Sequence, residues 1–341
     1  MNPIYGIALI SLGSICAASF YVPIKKVKNW SWESFWTIQG IFAWLVAPWL
    51  FAFLTVPSGT LLSILSEAPT ESKLWATFFG VLWGVGGLTF GLSIRYLGVS
   101  LGQSIALGFC AAFGTLIPPI VNGENLFSTP QGILMVVGVS VCIVGIAIIG
   151  YAGSLKSKNM TEEEKRAAVK DFALKKGLII AVLAGVMSAC MSFGIAAGKG
   201  IEDVALAHNT DPLFKTNPSY IFILLGGFFT NFVYCFYLNI KNKTIKDYLS
   251  VSKGVFASNL FFCALTGTLW FMQFFFFGMG KSKMPVSMVA FSWSILMALN
   301  IAFSNIWGVL LKEWKGAGAK TMIILLIGIL TLIFSTFVVN F

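Results

Sequence analysis

Long apolar runs, separated by short polar stretches, make up most of this chain. The stretch from Leu82 to Phe109 shows the pattern, because two apolar, glycine-containing segments meet there at Arg95-Tyr96-Leu97-Gly98. Only a handful of residues separate the two segments. The pattern therefore predicts a tight hairpin of two membrane helices.

Ten apolar runs are long enough to cross a bilayer as helices of about 20 residues. They lie near residues 4–24, 33–56, 74–95, 100–121, 131–152, 177–198, 218–240, 254–279, 286–310 and 320–340. Lipid-facing backbone must satisfy its own hydrogen bonds, and the runs are too continuous for barrel strands. The sequence therefore predicts an all-α integral membrane protein with ten transmembrane helices.

The apolar pattern of the first half returns in the second half. At a constant offset of 187 residues, Leu82-Trp83 matches Leu269-Trp270, and Phe90-Gly91 matches Phe277-Gly278. Internal repeats of this kind are typical of transporters, in which the substrate site lies at the repeat interface near the bilayer midplane.

The repeat predicts the organisation of the chain. Residues 1–153 form a first five-helix repeat, residues 154–176 a polar linker, and residues 177–341 a second five-helix repeat. Because each repeat has an odd number of spans, the second repeat must be inverted relative to the first.

Composition and charge agree with a membrane protein and give its orientation. Hydrophobic residues are 57% of the chain and charged residues 11%, whereas soluble proteins have about 25% charged residues. The net charge of +10 forms no single basic patch, which argues against a nucleic-acid partner. Loops after alternate spans hold 18 of the 23 lysines and arginines, so the positive-inside rule predicts a cytoplasmic linker and two periplasmic termini.

The chain carries no signature of an enzyme. It contains no Walker loop, nucleotide-binding fingerprint or HExxH sequence, and its apolar runs hold no cluster of acids or histidines. The six cysteines fall within apolar runs without metal-ligand spacing, which indicates packing residues. We expect no cofactor and no metal site.

A site for a small polar solute inside a bilayer needs hydrogen-bonding side chains and a flat apolar surface, which Trp, Gln and Asn supply without a buried charge. Polar and aromatic candidates of this kind lie at depth in the spans: Gln39, Trp44, Trp83, Gln103, Asn231, Trp270, Gln273, Ser292, Trp293, Asn300 and Asn305. Among these, we expect the substrate to contact Gln39, Trp83, Trp270, Gln273 and Trp293.

Trp83 and Trp270 occupy matching positions of the repeats. They are either two walls of a midplane cavity or members of an interfacial aromatic belt. Gln273 lies one helical turn after Trp270 and shares its face. For Gln39 and Gln273, a hydrogen bond between helices is an alternative to a substrate contact.

The coupling candidates are Glu33 and Arg95. No Asp, Glu or His lies near the midpoint of a span, and Glu33 is the best-placed acid, with Glu313 second. Glu33 could instead complement a helix dipole, with Ser31 as the N-cap. Arg95 is a possible partner of Glu33 or substrate, or an interfacial arginine that reaches toward the headgroups.

Glycines recur along one face of the third span, at Gly80, Gly84, Gly87 and Gly91. Small residues in this spacing are typical of close helix packing in membranes.

Several short sequences form a characteristic set: Lys25-Lys26-Val27-Lys28, Trp30-Ser31-Trp32-Glu33, Arg95-Tyr96-Leu97-Gly98, Phe274-Phe275-Phe276 and Leu311-Lys312-Glu313-Trp314. Together they resemble the L-rhamnose–proton symporter family, a part of the drug/metabolite transporter superfamily. The resemblance covers essentially the whole chain. It implies ten spans, a small neutral sugar as substrate and a proton as the coupling ion.

We therefore interpret the chain as a secondary transporter that moves an L-rhamnose-like deoxy-sugar together with a cation across a bacterial inner membrane. The expected cation is a proton, with sodium as the alternative. Alternating access would move two inverted repeats around a midplane site. The alternatives are a drug or metabolite exporter of the same superfamily, a membrane-embedded transferase for lipid-linked sugars, and a membrane scaffold without transport.

Overall fold

The fold of the chain is all-α in a computed structural model. The structure describes residues 3–121, 123, 125–159, 161, 163, 169, 172–285, 289 and 291–338, and within these ranges no β-strand occurs. The expectation of an all-α membrane protein is confirmed at this level.

The helices follow the apolar runs. The described helices of the first half are α1 (Pro3–Ser19), α2 (Tyr21–Ile24), α3 (Trp32–Gly40), a π-helical turn (Ile41–Val46), α4 (Ala47–Thr55), α5 (Leu61–Glu67), α6 (Thr70–Leu97), α7 (Val99–Val121) and α8 (Pro130–Asn159). Those of the second half are α9 (Leu174–Ser188), α10 (Cys190–Ala197), α11 (Lys199–Ala207), α12 (Asn217–Lys241), a 3₁₀-helix (Thr244–Tyr248), α13 (Lys253–Lys283), α14 (Ser292–Leu310) and α15 (Ala319–Val338).

Eight helical segments of the described chain are long and apolar enough to cross a membrane. The predicted spans near 100–121 and 320–340 coincide with two shorter apolar helices, Leu101–Ile117 and Ala319–Ser335. Most of the linker between α8 and α9, including residues 160, 162, 164–168, 170 and 171, lies outside the described residues.

The predicted hairpin of the third and fourth spans is confirmed. Gly98 is the single residue between α6 and α7, and its φ of +86° is the left-handed conformation that glycine adopts without a steric penalty. Its N–H donates to the Ile94 carbonyl at 2.8 Å, and its carbonyl accepts from the Gly102 N–H at 3.0 Å. These backbone hydrogen bonds end α6 and begin α7 at Gly98.

The chain forms two compact units, each built from both halves of the sequence. The first unit comprises Asn2–Val85 and Met191–Lys283, and the second comprises Gly86–Cys190 and Met284–Phe341.

In the first unit, α1 packs lengthwise against α13. A Cβ on Gly13 would lie 2.8 Å from the Gln273 carbonyl oxygen, and one on Gly280 would lie 2.6 Å from the Gly6 carbonyl oxygen. The early part of α1 thus meets the late part of α13, and the two helices are antiparallel. Glycine permits a backbone approach that any side chain would prevent.

The glycine stripe of α6 makes a similar contact with α12. A Cβ on Gly80 would lie 2.0 Å from the Ile223 carbonyl oxygen, and one on Gly84 would lie 2.7 Å from Cβ of Thr230. The Thr230 hydroxyl also donates to the Val81 carbonyl at 2.9 Å. Close helix packing is therefore confirmed for the part of the stripe that lies in this unit.

In the second unit, α7 packs against α14, and α8 packs against α15. Both pairs are antiparallel. Thr115 and Ser294 share a hydrogen bond of 2.6 Å, and farther along the pair the Asn305 amide donates to the Ser104 hydroxyl at 2.7 Å.

Candidate functional site

Three tryptophans of the first unit meet in one buried cluster. Trp44 comes from the π-helical turn, Trp83 from α6 and Trp270 from α13. Their ring centroids lie 5.9 Å apart for Trp44 and Trp83, 5.8 Å for Trp44 and Trp270, and 5.3 Å for Trp83 and Trp270. We call these three residues the tryptophan cluster.

The tryptophan cluster lies in the interior of the first unit, since its members are 3%, 5% and 9% exposed. Trp44 stands nearly perpendicular to both other rings, at 80° and 89°, which is a favourable edge-to-face geometry. Trp36 extends the cluster on one side, 6.0 Å from Trp44, and Phe274 extends it on the other, 5.1 Å from Trp270.

The π-helical turn lies at the centre of this arrangement. Ile41–Val46 form a π-helix between α3 and α4, and short π segments inside helices are frequent at functional sites. A Cβ on Gly267 of α13 would lie 2.5 Å from the Gln39 carbonyl oxygen and 2.8 Å from the Ala43 nitrogen. The backbone of α13 therefore touches the backbone of the second span where the π-helix begins.

Polar atoms without partners lie on the elements around the tryptophan cluster. Both amide atoms of Gln39, Nε1 of Trp44, Oγ1 of Thr266 and the hydroxyl of Tyr21 are buried and have no hydrogen-bond partner among the described residues. Gln39 itself is fully buried. Buried polar groups are nearly always paired, so a set of such groups on neighbouring elements needs an explanation.

The neighbouring polar groups are paired. Nε1 of Trp36 donates to Oδ1 of Asn231 at 2.9 Å, and the Asn231 amide donates to the carbonyl oxygens of Gly84 and Gly227 at 3.1 and 2.8 Å. Nε2 of Gln273 donates to the Trp270 carbonyl oxygen of its own helix at 2.9 Å. Asn231 thus holds α6 and α12 together, while the unpartnered groups are concentrated around Gln39 and Trp44.

This combination is suited to a neutral ring that carries hydroxyl groups. Indole faces provide a flat apolar surface, and the Gln39 amide offers both a donor and an acceptor.

The remaining substrate-binding candidate, Trp293, belongs to α14 in the second unit. It is 6% exposed, and its Nε1 donates to the Cys110 carbonyl oxygen of α7 at 3.4 Å. Ser304 on α14 donates a short hydrogen bond to Oε1 of Gln103 on α7, whose Nε2 has no partner among the described residues. The structure thus gathers Gln39, Trp83, Trp270 and Gln273 in the first unit and places Trp293 on a polar seam of the second.

The coupling candidate Glu33 is buried at the start of α3 and is fixed by the end of α12. Its Oε1 accepts hydrogen bonds of 2.9 Å from the Asn242 amide and from the Thr244 hydroxyl. Ser31 is the N-cap residue of α3, as predicted, although its side chain makes no capping hydrogen bond. The Ser31 hydroxyl donates instead to Asp247 at 2.7 Å.

Asp247 clamps the 3₁₀-helix to the start of α3. One of its carboxylate oxygens accepts from the Ser31 N–H, the Ser31 hydroxyl and the Ser34 hydroxyl at 2.8, 2.7 and 3.0 Å. Burial opposes ionisation, but these hydrogen bonds and the charge of Lys246 outweigh it and lower the pKa of Asp247. A charged Asp247 therefore stabilises this loop, and the contribution is lost as acid protonates the carboxylate.

Two further candidates lie in the second unit. Arg95 is exposed in the last turn of α6, where a cation complements the helix dipole. Glu313 is buried, and its charge acts on Lys156, whose Nζ lies 4.9 Å from the ring centroid of Trp314. Lys156 is therefore a nearby cation for the Glu313 carboxylate.

Sequence reasoning underestimated Trp44 and missed Thr266 and Tyr21. The repeat offset singled out Trp83 and Trp270, whereas Trp44 has no tryptophan at a matching position and was only one of many polar and aromatic residues at depth. Thr266 and Tyr21 carry no motif. The neighbouring Gly267 was the available signal, since glycine in a span marks a close backbone approach.

No group of three or more His, Cys, Asp or Glu side chains capable of holding a metal ion occurs among the residues that the structure describes. The six cysteines are free, and five of them are buried.

Comparison with known proteins gives a consistent result over the whole chain. The profile of the family described as L-rhamnose-proton symport protein matches residues 2–341. The L-rhamnose-proton symporter of Yersinia pestis (strain Pestoides F) is 38% identical over 341 residues, which cover 99% of this chain and 97% of that protein. The L-rhamnose-proton symporter of Citrobacter koseri is 37% identical over 333 residues, covering 96% and 95% of the two chains.

These relatives are named as symporters, which agrees with the interpretation of the chain as a transporter rather than an enzyme. The match extends over both units and includes the elements that build the tryptophan cluster. The chain therefore belongs to the L-rhamnose–proton symporter family.

Proposed function

We propose that this protein is a symporter that takes up L-rhamnose, or a closely related deoxy-sugar, together with a proton across a bacterial inner membrane. Family membership over residues 2–341 is the observation that carries the proposal. The tryptophan cluster and its unpartnered polar neighbours support a neutral sugar as the substrate.

The sugar would bind against the tryptophan cluster. The apolar C–H face and the methyl group of a deoxy-hexose match an indole surface, and its hydroxyls can both donate and accept hydrogen bonds. Gln39, Trp44, Thr266 and Tyr21 carry the polar atoms that lack partners, and they are the groups that a sugar hydroxyl would satisfy. Trp83, Trp270 and Gln273 complete the proposed site in the first unit.

Two inverted repeats and alternating access are part of the proposal. Packing joins spans that correspond in the repeats, since α3 packs on α12, α7 on α14 and α8 on α15. The repeat-related residues Trp83 and Trp270 also touch each other, at 5.3 Å. Equivalent positions that meet in this way are expected near a pseudo-two-fold axis, where transporters of this kind bind their substrates.

Coupling to a proton would make uptake concentrative. One cation moving down a potential of 100 mV provides about 2.3 kcal/mol, which corresponds to roughly 50-fold accumulation of a neutral sugar. Glu33 is proposed as a titratable group of the coupling mechanism, and Arg95 as a cation that acts on the same cycle.

Removal of either repeat-related tryptophan is expected to abolish or severely weaken rhamnose uptake, because the stacking surface is lost. Trp83→Ala and Trp270→Ala should still reach the membrane. Trp75→Ala is the matched control on the same helix as Trp83, since Trp75 is 48% exposed. Uptake of labelled rhamnose into proteoliposomes measures the effect, and normal transport by both variants would exclude this site.

Replacement of Gln39 is expected to separate binding from stability. Gln39→Leu removes a buried amide without partners, so the ligand-free protein should keep or gain thermal stability, while rhamnose binding weakens by about 1 kcal/mol or more. Asn231→Leu is the contrasting variant, because it breaks three hydrogen bonds and should lower the unfolding temperature. Thermal unfolding with and without rhamnose tests both statements, and unchanged rhamnose stabilisation in Gln39→Leu would refute the role of Gln39.

Neutralisation of Glu33 is expected to uncouple transport. Glu33→Gln should abolish accumulation against a gradient and leave exchange of labelled rhamnose largely intact, because Gln mimics the protonated carboxyl group. Glu71→Gln, at an exposed acid near the start of α6, is the control. Accumulation by Glu33→Gln equal to that of the unmodified protein would reduce Glu33 to a helix-start acid.

The basic residues predict the orientation of the protein. Both termini should be periplasmic, and the 154–176 linker should be cytoplasmic. Reporter fusions after Phe341 and near Asn159 measure this directly. A cytoplasmic signal from the Phe341 fusion would overturn the topology.

A further inference from the structure

Glu202 is a buried carboxylate with one satisfied and one unsatisfied oxygen. It lies in the first turn of α11 and is 4% exposed. Its Oε2 is 3.3 Å from Nζ of Lys215, whereas its Oε1 is buried without a hydrogen-bond partner among the described residues. Glu33, in contrast, accepts two hydrogen bonds on one oxygen.

A half-satisfied carboxylate is unfavourable in the interior of a membrane protein. A buried charge is tolerated only when it is well paired, and one ion pair leaves the second oxygen of Glu202 uncompensated. A proton on Oε1 would neutralise the charge and remove the cost of holding a carboxylate with an uncompensated oxygen. The ionised form depends on Lys215, which is partly exposed and can turn toward solvent.

Glu202 and Glu33 lie at opposite ends of α12. Lys215 and Tyr220 are at the beginning of this helix, and Asn242, which binds Glu33, follows its end. A helix of 25 residues is about 37 Å long, which exceeds the hydrocarbon thickness of a bilayer. The two carboxylates are therefore expected near opposite surfaces of the membrane.

Glu202 is linked to the tryptophan cluster through an electrostatic effect on Tyr220 and the contacts that Tyr220 makes. Glu202 is close enough for its charge to act on Tyr220, a fully buried residue. The Tyr220 hydroxyl donates to the Phe274 carbonyl oxygen at 3.0 Å, and the Phe274 ring lies 5.1 Å from that of Trp270. A change of charge at Glu202 thus acts on Tyr220, which is joined to the proposed sugar site through Phe274.

The other titratable groups near this carboxylate have different surroundings. Asp203 is exposed, and the half-buried His208 is paired with Glu67 of α5 at 2.8 Å. The groups on or beside α11, α5, the start of α6 and the start of α12 are Glu67, Glu71, Lys73, Lys199, Asp203, His208, Asp211, Lys215 and Tyr220.

We propose that Glu202 is the group that takes up the symported proton on the side of the membrane opposite Glu33, and that Lys215 is its counter-ion in the ionised state. The inference rests on the proposed function. A proton from water binds Oε1, Lys215 keeps its own proton, and the pair changes from zero to one net positive charge. When the proton leaves toward the other side, the carboxylate pairs with Lys215 again.

Replacement of Glu202 tests the role in reconstituted full-length protein. Two assays are run: exchange of labelled rhamnose at equal pH on both sides, and accumulation driven by an imposed pH gradient. Glu202→Gln should retain exchange and lose accumulation, from roughly 50-fold to about onefold at a driving force equivalent to 100 mV. Asp203→Asn removes an adjacent exposed acid, and His208→Gln removes the neighbouring histidine; both should accumulate rhamnose normally.

Lys215 provides a second route to the same pair if Glu202→Gln is not recovered in folded form. Lys215→Gln leaves the carboxylate without its counter-ion, so release of the proton becomes unfavourable and accumulation should fall strongly while exchange persists. Lys215→Arg is the conservative variant. It keeps the positive charge, so it should keep accumulation.

The outcomes separate the two proposals. Absence of rhamnose uptake under a pH gradient in the unmodified protein refutes the proposed function itself. Gradient-driven accumulation by both Glu202→Gln and Lys215→Gln, at the level of the unmodified protein, refutes only the role of Glu202. Loss of both exchange and accumulation in folded Glu202→Gln also refutes the role of Glu202 as the proton-binding group, because the carboxylate is then required for transport of any kind.

Discussion

Hydrogen bonding without water is the constraint on which this structure depends. Each backbone N–H and carbonyl group in a bilayer must find its partner within the protein, so the apolar runs fold as helices. The same constraint acts on side chains. Asn231 pairs with Trp36 and with two carbonyl groups, and Asn305 pairs with Ser104, so each of these amides joins two helices.

Close backbone approach gives the first unit its shape. Glycine allows α13 to touch α1 near Gly13 and Gly280, and allows α6 to touch α12 near Gly80. Lipid provides no hydrophobic drive between helices, so this tight contact and the hydrogen bonds that it permits supply the association. Gly267 belongs to the same set and brings α13 against the π-helical turn that carries Trp44.

The unpartnered groups stand out because neighbouring polar side chains of the described residues, such as those of Asn231 and Gln273, are paired. The amide of Gln39 faces the same requirement as Asn231 but has no protein partner among the described residues. A sugar hydroxyl would satisfy it, and a proton would remove the negative charge from the unpartnered oxygen of Glu202. Both proposals thus follow from one physical argument: a buried polar group without a partner is costly, and a ligand that supplies the partner binds favourably.

The sequence by itself determined the class of the protein. Three features can be recognised in the sequence alone: the apolar runs of membrane length, the glycine turn at Gly98 and the glycine stripe on α6. Each reflects a local requirement of the backbone or the lipid. The repeat offset also selected Trp83 and Trp270, which the fold places in contact. The family resemblance rests on short contiguous sequences, which can be recognised without knowledge of the fold.

Tertiary structure alone decided which polar residues have partners. Gln39 and Gln273 are the same residue type and are both buried, yet Gln273 binds the carbonyl of its own helix and Gln39 binds no described group. Lys215 likewise meets Glu202 only because the loop after α11 folds back against it. Hydrogen-bond satisfaction depends on atoms brought together from distant parts of the chain, and a linear pattern does not contain those distances.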